Sequence, residues 1–381
     1  MSARVTFGAV GDIMIGESVA IKFGPRSQSE KHGFDFPFRL VKPVFDGLDF
    51  VTGNLETAVS DIGYRRGLVE SSIFRGNQKS LDALHSSGFK VLSVANNHTL
   101  QHGSDVFFDT AEAVRKAGIH PIGLAEDCGS NFEVVNCNGM RIGFLGYSLW
   151  PSERHDDENQ CFAMVRDQKE VIFRDIGRWK DEVDHLCVSI HWGFEFVNAA
   201  SDDQIELGHA MIDAGVSCVL GHHPHVLQGV EMFGRGLIAY SLGNFVFDTV
   251  NPATRSSMIL VVKLDDDKVV GFDTVPVRIN SSFQPEPLDD NGRREFEETF
   301  GKYCAYITDP KYAHLRTVSA CMEESVRGKM GNQQFTNRFF MQNIHRYPLK
   351  VVVNKIFRKV RNYLSGTYKK DSYMQNIEHQ R

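Results

Sequence analysis

LCVSIHWGFEFVNAASDDQIELGHAMIDAGVSCVLGHHPH, residues 186–225, decides how the rest of the chain is read. It holds two short apolar runs, 186–190 and 216–220, and each ends abruptly in histidine. The first passes straight into His191, Trp192 and Gly193. The second, after Gly221, gives His222, His223, Pro224 and His225. Short apolar runs bounded by Gly and Pro read as buried strands. Imidazoles at the carboxyl ends of two such strands converge, because ligands in α/β sheets collect there.

Upstream, the same pattern repeats. Residues 4–10 predict a strand ending in Gly11-Asp12, residues 48–51 one ending in Asn54-Leu55-Glu56, and residues 89–95 one ending in Asn97-His98. Helices are expected over 78–87, 104–117, 171–183 and 202–214, with Gly118 closing the second. Further strands are expected over 119–123, 132–135, 142–147 and 237–242, and a closing hairpin over 256–264 and 268–279. Residues 151–170 read as polar and irregular. Strands alternating with helices imply a largely parallel α/β core. Five strand endings then gather on one rim, with carboxylate, amide and imidazole groups but no thiolate. That chemistry suits a metal held by oxygen and nitrogen.

Composition narrows the class. At 381 residues with 42% hydrophobic content the chain is long enough for one large domain or two. A net charge of −6 argues against nucleic-acid binding. Seven cysteines without a CxxC pair suggest free thiols in a reducing compartment. With no signal-peptide core and no 18-residue apolar stretch, a cytoplasmic location is expected, in the limit peripheral at the inner face of a membrane.

The motifs GDIM (11–14), NLE (54–56), ANNH (95–98), HWG-x-E (191–195), HPH (223–225) and YSLGNFVFD (240–248) resemble the CapA family of poly-γ-glutamate capsule synthesis, within the calcineurin-like metallophosphoesterase superfamily. The resemblance spans roughly residues 4–280. It implies a four-layer α/β sandwich of two mixed sheets flanked by helices, and a domain boundary near 280. It also implies a ligand set for one or two divalent ions (Mn, Fe or Zn): Asp12, either Asn54 or Glu56 as the bridging position, Asn97, His191, His223 and His225, with His222 the weaker candidate. His98 resembles the histidine that assists the leaving group. Met14 stands where typical phosphoesterases place a histidine, which removes one ligand.

Each of these residues has an ordinary structural role as an alternative. A lone histidine bonds backbone, Asn97 caps a helix, and Asp12 closes a turn. Glu195, four residues past His191, is either a catalytic-site carboxylate orienting an imidazole or a loop charge. Arg65, Arg66 and Arg75 follow NLE and suit a phosphate or polyglutamyl carboxylate by bidentate contact, or are solvated loop charges. Trp192 either lines the substrate or packs in the core.

Beyond residue 280 the composition changes. Residues 289–298 are acidic and helix-prone, whereas 325–370 carry eleven Lys/Arg and no Asp/Glu, so the rest of the chain holds −17. Residues 349–364 form a basic amphipathic pattern that either packs on the main domain or docks on an anionic membrane or an acidic protein. Three functions follow. The first is a metal-dependent hydrolase of a phosphoester or amide in an anionic polymer or peptide. The second is a metal-independent acid–base enzyme such as a peptide epimerase. The third is a non-catalytic accessory subunit of a membrane polymer synthase.

Overall fold

In the computed structural model, residues 4–18, 23–65, 71, 73–153, 161–347, 349 and 351–353 are described. In chain order the strands begin β1 (Val5–Ile13), β2 (Phe50–Leu55), β3 (Ala58–Val59), β4 (Arg75–Gly76), β5 (Phe89–Ser93), β6 (His120–Ile122), β7 (Phe132–Cys137) and β8 (Met140–Ser148). They continue with β9 (His185–His191), β10 (Cys218–His222), β11 (Val230–Phe233), β12 (Gly236–Ala239), β13 (Asn244–Val246), β14 (Ser256–Leu264), β15 (Val269–Ile279) and β16 (Pro285–Pro287). One sheet runs β16-β15-β14-β1-β2-β5-β6, with β13 paired to β1, and the other runs β11-β12-β10-β9-β8-β7.

The centre of each sheet is parallel and its edge is antiparallel: β1, β2, β5 and β6 run together while β14, β15 and β16 each pair antiparallel to the strand before, and β8, β9, β10 and β12 run together while β7 and β11 oppose. Both sheets are therefore mixed, as the resemblance implies. The parallel core read from the strand–helix alternation holds only for their middles.

Side-chain alternation makes the layers. Phe7 and Ala9 of β1 and Leu260 and Val262 of β14 face Phe144, Cys187 and Leu220 of the other sheet. On the outer side of the first sheet, Val10 and Leu92 pack with Leu81, Phe107 and Val114 from helices Lys79–Ser86 and Ser104–Lys116. Outside the second sheet, Val188 and Val219 pack with Ile176 and Met211 from helices Glu170–Trp179 and Asp202–Ala214. This is a helix–sheet–sheet–helix sandwich. The Asp202–Ala214 helix starts at a capping box, Ser201 with Gln204, and stops at Gly215 in the left-handed region.

Two glycines let the strands close on the functional rim. A Cβ on Gly11 would sit 1.9 Å from the Gly243 carbonyl oxygen, and one on Gly221 2.0 Å from that of Tyr240. Both positions demand backbone contact that only glycine permits.

The acidic segment opens a helix, Asp290–Thr308, whose Phe296 and Phe300 enter the core between the sheets. A second long helix, Val318–Gln342, follows. In the 349–364 pattern, Val351 is buried on Phe340 and Tyr347 whereas Leu349 is exposed. Val352 packs partly buried on the same cluster, Val353 is exposed, and residues 350 and 354–364 lie outside the described residues. No helix among the described residues is long and apolar enough to cross a membrane.

Candidate metal centre

Strand register assembles the site. Asp12 on β1 is paired with Asn54 on β2 and Asn244 on β13, just past a bulge in β1. On the second sheet His191 of β9 is paired with His222 of β10. The two rims meet where Asn54 Nδ2 donates to Asp12 Oδ1 at 2.9 Å and lies 3.4 Å from His191 Nδ1. Asn96 holds Asn54 in place, donating to its Oδ1 at 3.2 Å and to the Leu55 carbonyl at 3.0 Å.

A second convergence centres on His191 Nε2, which has Asn97 Oδ1 and His223 Nδ1 both at 3.0 Å. Asn97 in turn donates to Glu153 Oε1 at 3.2 Å. His225 Nδ1 lies 3.2 Å from Asp12 Oδ2 and 3.0 Å from Asn244 Oδ1, and its Nε2 lies 3.7 Å from Glu56 Oε1 and 4.0 Å from Glu195 Oε1. His98 Nε2 faces the same Glu56 oxygen at 3.8 Å, its ring stacked at 3.9 Å on Phe74. The HPH turn is held in the left-handed region at both histidines, φ 97° at His223 and 58° at His225. Backbone strain of this kind clusters at functional sites.

The charges are buried and unbalanced. Burial works to raise Asp12, but His222 and His225 overcome it and hold the carboxyl well below its usual range. Burial, then the Asp12 charge, pushes Glu56 well above the carboxylate range. Burial opposes charge on His225, yet Glu56 and Asp12 bring it up to about 10. His191 and His223 are pushed down by burial and, first among their charged neighbours, by His223 and His225 respectively.

These features fit a bound cation. Asp12, Glu56 and His191 offer ligand atoms that all lie within 4.8 Å of one another. Asp12 Oδ2, both Glu56 oxygens and His222 Nδ1 are buried without a hydrogen bond, which is costly unless something charged satisfies them. The 3.0 Å separations of Asn97 Oδ1 and His223 Nδ1 from His191 Nε2 match the spacing of ligand atoms sharing an ion. Bonds of ~2.0–2.1 Å put neighbouring ligands roughly 3.0 Å apart in an octahedron and 3.4 Å in a tetrahedron. Met14 is fully buried and adds no nitrogen or oxygen.

All seven residues expected as ligands, together with His98 and Glu195, thus lie in one connected cluster. The described residues expected to bind substrate, Arg65, Arg75 and Trp192, do not. Trp192 is wholly buried, its indole N–H donating to the Tyr240 carbonyl at 2.8 Å, so it belongs to the core behind the rim and not to a substrate wall. Arg75 is buried too, donating to the carbonyls of Ser60 and Ile62, and lines a separate cavity of about 420 Å³ with His102 and Ser104. Arg65 is exposed on its loop, and Arg66 lies outside the described residues.

Sequence reasoning underweighted His222, whose Nδ1 is 3.4 Å from Asp12 Oδ1. It also passed over Asn244, although Gly243-Asn244 follows the 237–242 run in the pattern that exposed the other endings. Asn96, inside the ANNH motif, was given no role, and Glu153 and Lys329, which pairs with Glu195 at 2.5 Å, carried no local signal.

Comparison with known proteins agrees on the family. Residues 6–249 match the family described as bacterial capsule synthesis protein PGA_cap. The chain is similar to the capsule biosynthesis protein CapA of Bacillus anthracis, 32% identical over 296 residues, covering 75% of this chain and 70% of that protein. It is similar also to the PGA biosynthesis protein CapA of Bacillus subtilis (strain 168), 31% identical over 283 residues, covering 73% of this chain and 72% of that one. Among solved structures, a 5'-nucleotidase precursor from Thermus thermophilus superposes with a TM-score of 0.43 at 12% identity, covering 78% of this chain and 58% of its own. With the strand-end motifs in place and a family match covering well over half of its length, the chain belongs to the bacterial capsule synthesis protein PGA_cap family.

Proposed function

We propose that this protein is a metal-dependent hydrolase acting in the synthesis or tailoring of an anionic, poly-γ-glutamate-like polymer, on a phosphoester or an amide bond. The observation that carries this reading is the buried set of Asp12, Glu56 and His191 ligand atoms, with Asp12 Oδ2 and both Glu56 oxygens lacking hydrogen bonds. Asp12, Glu56 and His191 would hold the ion, joined by Asn54, Asn97, His223 and His225. A divalent ion there supplies Lewis-acid polarisation of a phosphoryl or carbonyl oxygen.

The protein's own groups supply the rest. His98 stands at the edge of the cluster with Nδ1 3.4 Å from Gln101 Oε1 and 3.9 Å from Glu153 Oε2. That orients its Nε2 toward the cluster to hand a proton to the leaving atom. Trp150 packs over His223 at 4.9 Å and donates to the Gly193 carbonyl at 2.9 Å, excluding water from that side.

The test is elemental analysis of protein purified without chelator, beside His225→Ala. We expect one or two equivalents of Mn, Fe or Zn per chain, lost in the variant along with hydrolysis of a phosphoester or γ-glutamyl amide. Turnover that survives metal removal would replace this reading with metal-independent acid–base chemistry. A folded His225→Ala variant that still supports polymer formation would leave only an accessory role.

A further inference from the structure

The C-terminal helix Val318–Gln342 lies outside the 6–249 family match, yet it packs beside the candidate metal centre. It touches the loops that follow three site-bearing strands. Cys321 packs with Val197 and Ala199, after β9. Phe339 packs with Phe247 and Val250, after β13. Phe340 and Tyr347, at the end of the helix and just beyond it, gather with Phe23, which follows β1. The helix is seated closely: a Cβ on Gly328 would lie 2.3 Å from the Phe196 Cβ. Phe196 itself is fixed at φ 65° and by donation of its N–H to the Pro224 carbonyl, inside the HPH turn.

One residue beyond that contact, Lys329 Nζ reaches Glu195 Oε2 at 2.5 Å, while Glu195 Oε1 lies 4.0 Å from His225 Nε2. Glu56, Glu153 and Glu195 line this side of the cleft. Lys329 is the one Lys or Arg that makes an ion pair with any of them among the described residues. An ammonium has three donors, and Glu195 occupies one of them. The Lys329 side chain keeps 28% of its surface exposed, so the others remain within reach of a ligand.

We infer that Lys329 forms an oxyanion subsite beside the candidate metal centre, brought there by the C-terminal helix, and that it selects substrates carrying a carboxylate or phosphate beside the reacting bond. This deepens the proposed function and rests on its cleft. Without such a cation the Glu153 and Glu195 carboxylates would repel an anionic polymer on this side. Glu195 neutralises Lys329 in the free protein and orients it.

The test uses the full chain, with Lys329→Met and Lys329→Arg, and calorimetric titration with γ-Glu-Glu, the same dipeptide with all carboxylates amidated, and inorganic phosphate. We expect Lys329→Met to weaken γ-Glu-Glu and phosphate about tenfold, to leave the amidated peptide unchanged, and to retain wild-type metal content and melting temperature. Lys329→Arg should restore most of the preference. Equal losses for charged and amidated peptides, or no loss, would overturn the subsite. A variant that fails to fold shifts the decision to Lys329→Arg against wild type and to Glu195→Gln, which frees the ammonium and should tighten phosphate. No tightening there would also overturn it. Metal content is read separately, so failure of the metal reading stays distinguishable from failure of this one.

Discussion

Glu17 and Asp248 show how single buried groups set the pH response of the rim. Asp248 is pushed up to about 7 by burial although Ser18 N–H donates to it at 2.5 Å. Glu17 also reaches about 7, from burial and, more weakly, the nearby Asp248 charge, despite donation from Ser27 at 2.8 Å. An acid whose folded pKa is raised binds more protons folded than unfolded, so its contribution is present below about pH 4 and is lost as pH rises through about 7. Glu17→Gln should therefore gain melting temperature relative to wild type between pH 5 and pH 8, and Asp248→Asn likewise. Parallel Tm-against-pH curves for wild type and variants would contradict this. Gly221→Ala makes a different prediction: with 2.0 Å to the Tyr240 oxygen and 2.6 Å to Trp192 Nε1, the added methyl should cost more than about 2 kcal/mol in urea unfolding. At this scale the sequence was readable where apolar runs stop. Asp12, His191 and His225 announce themselves by following such runs, and their partners emerge once strands pair. Trp192 does not, because nothing in its neighbours separates a rim tryptophan from one that turns back to Tyr240.

Among the elements, the parallel strands were legible from their largely apolar content, because strands buried on both faces need no strict alternation. β2 lies further along the chain than 48–51, at Phe50–Leu55, since Thr52 and Asn54 still pair in the ladder despite their polarity. β11 and β13 are short and partly polar, and they exist through pairing with β12 and β1. Helix Asp290–Thr308 had a readable start, with Asp289 accepting from Gly292 N–H at 2.8 Å. Its destination was not readable. Phe296 and Phe300, stacked with ring centroids 5.3 Å apart, complete the core between the sheets. Phe300→Ala should then lose about 3–5 kcal/mol, as for a core phenylalanine, measurable as a lower denaturant midpoint. A loss under about 1 kcal/mol would mean that the helix only rests on the surface.

For the whole molecule, two sheets and two helical layers place every candidate ligand on one edge, and the helix Val318–Gln342 packs on the loops at that edge. Truncation after residue 288 should lower the melting temperature and raise dye binding to exposed apolar surface, because it uncovers Gly229 against Tyr303 and Cys304 as well as the phenylalanine contacts. A fragment as stable as the full chain would show that the main domain owes nothing to the tail. Lys329 is legible only at this scale, since it meets Glu195 across 134 positions of sequence through the seating of a whole helix.

The helix Val318–Gln342 beside the site is also among the last parts of the described chain to be synthesised. Phe23 waits for Tyr347, and the loops at 194–199 and 247–250 wait for residues 321 and 339. Contacts that far apart carry a large loop-closure cost and form late. A nascent chain therefore exposes its carboxylate- and histidine-lined groove, without its lysine, until residues 318–347 have emerged. The order of synthesis itself postpones the completed pocket to the end of folding.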